Sequence, residues 1–142
     1  MWPHASPPTV LLVDPNKEDR EYWAHRLALA SSEYVVLEAD NGAAGLAICR
    51  WQRVDCVLVE VSLTDMSGFQ LLVQLVPRAR HPDIAVIMLT RVALSTMRDL
   101  ALKNGAQAYL VKRQTSADIL GQVIREAISK VPRRECSFGE FH

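Results

Sequence analysis

The sequence predicts a single α/β domain built on a doubly wound, five-stranded parallel sheet, and three observations carry that prediction. From Thr9 onward, short β-branched runs alternate five times with longer segments of helical period, without a low-complexity break. Three of the runs, VLLV, CVLV and IAVIML, are apolar on both faces, as strands covered by helices on each side must be. The chain has 142 residues, 49% of them apolar and 23% charged, which is enough for one ordinary domain to fold by packing without metal or disulfide support.

The strands are expected at 9–13, 34–39, 56–59, 84–89 and 108–111, with five helices between and after them. The first helix opens at Asn16 with Asp19 three positions on, both suited to the free amides of a first turn, and carries an apolar stripe of Trp23, Leu27 and Ala30. The second opens near Asn41, where NGAAG reads as a turn into a helix, and buries Ala44, Ala47 or Ile48, and Trp51. The third covers 68–76 with Leu72, Leu75 and Val76 inward, and Pro77 ends it. The fourth, 94–104, sets Leu94, Met97 and Ala101 on one face, with Gly105 as its cap. Thr115 and Asp118 form a T-x-x-D box for the fifth, which continues to Lys130 before Pro132 stops it. Its stripe of Ile119, Leu120, Val123, Ile124, Ala127 and Ile128 is wider than packing on one sheet face needs, so part of it is expected to face a partner. The strand order expected for so small a doubly wound sheet is 2-1-3-4-5, with residues 9–131 as the domain, 1–8 as a mobile tail and 132–142 as tail or linker.

Composition narrows the function. Sixteen basic and sixteen acidic side chains give a formal net charge of zero, so no global field draws in nucleic acid or an anionic membrane, and Arg78, Arg80, Arg133 and Arg134 read as solvated surface. Cys49, Cys56 and Cys136 are odd in number and lack CxxC spacing, which points to a reduced, cytoplasmic chain without a disulfide framework or zinc site. No apolar stretch approaches the roughly 20 residues of a membrane span. The turn DPNKED lacks the glycines of a nucleotide loop, so a small-ligand module on a flavodoxin-like sheet remains only a remote alternative. There is no G-x-S-x-G elbow, and His4, His25, His81 and His142 have no metal-ligand spacing, so an enzyme is not expected.

In doubly wound sheets the functional crevice lies beyond the carboxyl ends of the strands. Asp14 follows the first strand, Glu60 the third, Thr90 the fourth and Lys112 the fifth. The fold therefore gathers two carboxylates, a hydroxyl and an ammonium at one edge.

The segments LLVDPNKEDR, DCVLVEVSLTDMSG, VIMLT and GAQAYLVK together resemble the receiver domain of two-component response regulators over about 120 residues. The resemblance implies an aspartate at the end of the third strand that accepts a phosphoryl group from a histidine kinase. Two acidic residues after the first strand, together with that acceptor, would hold Mg²⁺. A Thr or Ser and a Lys would contact the phosphoryl group, and an aromatic residue on the fifth strand would report the change to the output face. On this chain Asp14 matches the first acidic position, Thr90 the hydroxyl, Tyr109 the aromatic switch and Lys112 the lysine. Three positions depart: Glu60 stands at the acceptor, Pro15 at the second acidic position, and Arg113 where a proline usually follows the lysine.

Mg²⁺ needs near-ideal octahedral oxygen geometry, so losing one acid to proline and lengthening another should weaken that site or abolish it. The extra methylene at Glu60 moves its carboxylate by about 1 Å, which can cost roughly 10²-fold in a transfer that depends on alignment. The expectation is an atypical receiver, a pseudo-receiver that needs no cofactor and works by binding a kinase or output partner, with Glu60 paired to Lys112. The last helix and strand could also support a homodimer. The alternative is a conventional Mg²⁺-dependent receiver phosphorylated on Glu60. Whether Glu60 would impose an active-like state, or one outside both family conformations, the sequence leaves open.

Overall fold

The computed structural model describes residues 7–30 and 34–132, so most of both expected tails, with His4, Arg133, Arg134, Cys136 and His142, lies outside the described residues. Five parallel strands, β1 (Thr9–Val13), β2 (Val35–Ala39), β3 (Cys56–Val59), β4 (Ala85–Thr90) and β5 (Ala108–Val111), pair in the order β2-β1-β3-β4-β5. Helices α1 (Lys17–Ala30), α2 (Gly42–Trp51), α3 (Gly68–Leu75), α4 (Ser95–Lys103) and α5 (Ala117–Ser129) complete the fold. The expected sheet, its order and its five helices are those observed. Among the described residues no helix is long and apolar enough to cross a membrane.

Period-two alternation along the central strands divides the core into two layers. Val10 and Leu12 of β1 join Leu58, Ile87 and the α1 and α5 side chains Trp23, Leu27, Leu120 and Ile124. Leu11 and Val13 point the other way, with Val57, Val59, Leu71, Leu72 and Ala101 beneath α2, α3 and α4. Both layers are closed to solvent, and truncating any one of these leucines to alanine costs about 2–5 kcal/mol.

Several local expectations shift. Pro8 is buried and its carbonyl accepts the Val35 N–H at 3.0 Å, so the ordered domain begins before Thr9. Tyr34 precedes β2, Ile84 precedes β4, and Thr90 is the last residue of β4 rather than the first of the loop. Helix α2 meets the sheet through Gly45, where a Cβ would lie 2.9 Å from a Val13 methyl. Of Ala47 and Ile48 it is Ile48 that packs half-buried against the core with Ala44, while Ala47 faces solvent and Trp51, at the end of the helix, is 79% exposed. Leu94 caps α4 from outside and is 53% exposed instead of joining the Met97 and Ala101 face. Ser116, not Thr115, caps α5 by accepting the Ile119 N–H at 3.1 Å, while the Thr115 hydroxyl donates to the Val111 carbonyl at 2.8 Å. On α5, Leu120, Ile124 and Ala127 are buried, Val123 and Ile128 are half-buried, and Ile119 stays exposed. The wide stripe is thus mostly core.

Two glycines are required where they stand. Gly105 has φ +102°, a conformation L side chains resist, and it closes α4. Gly68 opens α3 so close to the end of β3 that a Cβ would sit 2.4 Å from the Glu60 carbonyl oxygen. That approach sets the loop after Glu60.

Candidate functional site

The sheet register delivers the site. Parallel pairing aligns Val13 with Val59 and Val59 with Met88, so β1 and β3 end together and their next residues, Asp14 and Glu60, share one edge. The Glu60 N–H donates to the Val13 carbonyl at 3.0 Å, and Arg20 holds the Asp14 carbonyl at 2.7 Å. Lys112 follows β5 and begins a short 3-10 turn over Lys112–Gln114.

Asp14, Glu60 and Thr90 are buried, and the Lys112 side chain is 8% exposed. Lys112 Nζ lies 2.6 Å from Asp14 Oδ2, 2.8 Å from Asp19 Oδ2 and 3.0 Å from Glu60 Oε1, three acceptors for its three N–H groups. Burial alone would lower the lysine's pKa. The hydrogen bonds to Asp14 and Asp19 and the charge of Glu60 outweigh it, and the ammonium is held above its ordinary range.

Glu60 is surrounded by donors. Oε2 accepts the Val61 N–H at 2.6 Å and the Thr90 hydroxyl, while Oε1 accepts Lys112 and, at 3.3 Å, the Arg91 N–H. The Val92 N–H in turn donates to Thr90 Oγ1 at 3.2 Å. Tyr109 does not join the cluster directly: its half-buried hydroxyl donates to the Val92 carbonyl at 2.7 Å. Burial, then the Glu60 charge, raises its pKa. Arg113 is exposed, and Pro15 offers no side-chain oxygen.

Two members of the site were not legible as such. Asp19 accepts the Lys112 ammonium and, through both oxygens, a fork from Arg91 Nη2 at 2.7 Å and Nε at 2.8 Å. The Arg91 hydrogen bonds, helped by Lys112, hold its carboxyl at a pKa of about 2. Asp19 was expected to serve the first turn of α1. In that turn it is Asn16 that does the capping, its Oδ1 accepting the Asp19 N–H at 2.9 Å, while the Asp19 carboxylate turns into the site. The available signal was Arg91 directly after Thr90, a lone cation beside an apolar strand end.

The donor set does not fit the Mg²⁺ that the family resemblance implies. Asp14 Oδ1 accepts the Asn16 N–H at 2.8 Å, so all six oxygens of Asp14, Asp19 and Glu60 already have donors within the chain. Lys112 places a positive charge among them, and among the described residues no group of three or more His, Cys, Asp or Glu is arranged to hold a metal ion. Mg²⁺ requires an octahedron of oxygens at about 2.0–2.1 Å, which this arrangement could supply only by coming apart.

Comparison with known proteins gives a consistent result. The model of the response regulator receiver domain matches residues 10–124. The chain is 30% identical over 126 residues to the response regulator protein FleR of Pseudomonas aeruginosa, covering 89% of this chain but 26% of FleR. It is 31% identical over 103 residues to protein PilH of the same organism, covering 72% of this chain and 84% of PilH. Among solved structures, a CheY-like response regulator receiver domain from Methanospirillum hungatei superposes with a TM-score of 0.76 at 26% identity, covering 88% of this chain and 96% of that one.

Proposed function

The chain belongs to the response regulator receiver domain family of two-component signalling, and from that premise we propose that it is a receiver held in one state by its own side chains, one that signals by binding a protein partner rather than by accepting a phosphoryl group. One observation carries this reading. The Glu60 carboxylate receives the Thr90 hydroxyl and the Lys112 ammonium, the two donors that in the resemblance serve a phosphoryl group on aspartate, together with the Val61 and Arg91 N–H groups. Glu60 is the longer acid, and its extra methylene carries the negative charge toward Thr90 and Lys112. On this reading the state is active-like.

The domain then acts as a binding module, not an enzyme, and does so in the cytoplasm without a resident metal. The surface we assign to its partner is the face of α4, β5 and α5. There Leu94, Tyr109 and Ile119 line a groove of about 350 Å³, which could receive an output module, a kinase or a second copy of the chain.

Intact mass spectrometry after incubation with a small phosphoryl donor and Mg²⁺ tests the reading, with a Pro15→Asp, Glu60→Asp double variant alongside. The expected result is a phosphoryl adduct on the variant alone. An adduct on the native chain would replace this reading with that of a working phosphoacceptor at Glu60.

A further inference from the structure

The end of β4 and the loop that follows it are tied to the rest of the molecule at four points. Thr90 donates its hydroxyl to Glu60, the Arg91 N–H reaches Glu60 Oε1 at 3.3 Å, the Arg91 guanidinium grips Asp19 on α1, and the Val92 carbonyl accepts the Tyr109 hydroxyl. These ties differ in strength. The Arg91 N–H contact is long and single, whereas the guanidinium makes two charge-assisted bonds at 2.7 and 2.8 Å to a carboxylate that Lys112 already holds in place. Arg91 also answers a deficit of positive charge. Without it three carboxylates, Asp14, Asp19 and Glu60, would face the single ammonium of Lys112; with it one net negative charge remains.

We propose that Arg91 is the positioning residue of this switch: clamped on Asp19, it is a built-in second cation that fastens the loop after β4 to α1 and so fixes where the Val92 carbonyl holds the Tyr109 hydroxyl. The inference rests on the reading that Glu60 keeps the site in one state, and it adds how that state reaches the outer face. Glu60 supplies the charge. Arg91 converts it into a loop position, because the fork on Asp19 restrains residue 91 and the carbonyl of the next residue, Val92, accepts the Tyr109 hydroxyl. Tyr109 lines the groove between α4 and α5, so the clamp on α1 governs a surface on another side of the sheet. The Arg91 side chain is 65% exposed, which leaves the clamp open to screening by salt and accessible to competition by another acid.

The test uses the full chain labelled with fluorotyrosine, whose Tyr109 resonance is assigned by its loss in Tyr109→Phe. In Arg91→Ala, and independently in Asp19→Asn, the Tyr109 resonance should move toward that of an exposed ring while those of Tyr22 and Tyr34 stay in place. Amide exchange at residues 91 and 92 should rise by about fivefold, the scale of one partly exposed ion pair. Arg91→Lys, which keeps the charge and loses the fork, should recover part of both effects. An unmoved Tyr109 resonance and unchanged exchange in both single variants would overturn the proposal, with the Tyr22 and Tyr34 signals certifying the fold. If the native chain is phosphorylated by the small donor, the underlying reading fails; if it is not and Tyr109 remains indifferent to Arg91, the clamp alone fails.

Discussion

The edge at the ends of the strands and the face of α4, β5 and α5 lie next to each other and follow opposite rules. At the edge, Asp14, Asp19, Glu60 and Lys112 are each satisfied from within, and Lys112 spends all three N–H groups on carboxylates. On the face, Leu94 and Ile119 remain 53% and 46% exposed beside an open groove. A region whose polar groups are paired internally resists a ligand, because entry must first break bonds already made. Uncovered apolar side chains gain by being covered. In this molecule the charged groups at the edge answer one another, and the apolar surface left uncovered by Leu94 and Ile119 lies on the flank.

That contrast breaks most readily at Lys112. Lys112→Ala leaves three carboxylates facing Arg91 alone, two of them buried, and should lower the unfolding free energy by about 3 kcal/mol in a denaturant titration. A loss below about 1 kcal/mol would mean the edge is no more tightly paired than an ordinary surface.

Acid probes the same edge more gently. Asp19 has its pKa lowered from 3.8 to about 2 by Arg91 and Lys112, so its contribution is complete above the ordinary value and disappears as pH falls through about 2. Thermal unfolding followed from neutral pH to strong acid should therefore show a decline between those values that is shallower in Asp19→Asn. Identical acid limbs would place the stabilising pairs elsewhere.

The flank should give the smallest effect on stability and the clearest effect on binding. A Leu94→Ser, Ile119→Ser double variant should unfold within about 0.5 kcal/mol per substitution of the native chain, while pull-down of its partner or self-association in sedimentation is lost. Binding that survives would move the output surface off this groove.

How much of this could be read from sequence depended on how local the cause was. The apolar runs of β1, β3 and β4 leave no alternative to burial, and where they stop the next polar residue must sit at the sheet edge, so Asp14, Glu60 and Thr90 were visible from one short segment each. Trp51 was misjudged because helical period alone does not reveal where a helix overruns its sheet; α2 approaches through Gly45 and then ends in solvent. The capping box was placed one residue early because Thr115 and Ser116 offer the same chemistry, and only the backbone selects between them. Asp19 and Arg91 are 72 positions apart, and a residue already explained as a helix cap gave no reason to seek a second role. Long-range pairing between two common charged residues is where pattern reading ends and three-dimensional register begins.

The set of donors around Glu60 also has a bearing on time. A phosphoryl group on a carboxylate is an anhydride that water removes, so a state built on it carries its own clock. The carboxylate of Glu60 is installed at translation, and no hydrolysis can take it away. On the function proposed above, the arrangement that Val61, Thr90 and Lys112 make around it begins when the chain folds and lasts until the chain is degraded. Synthesis and proteolysis then set its duration.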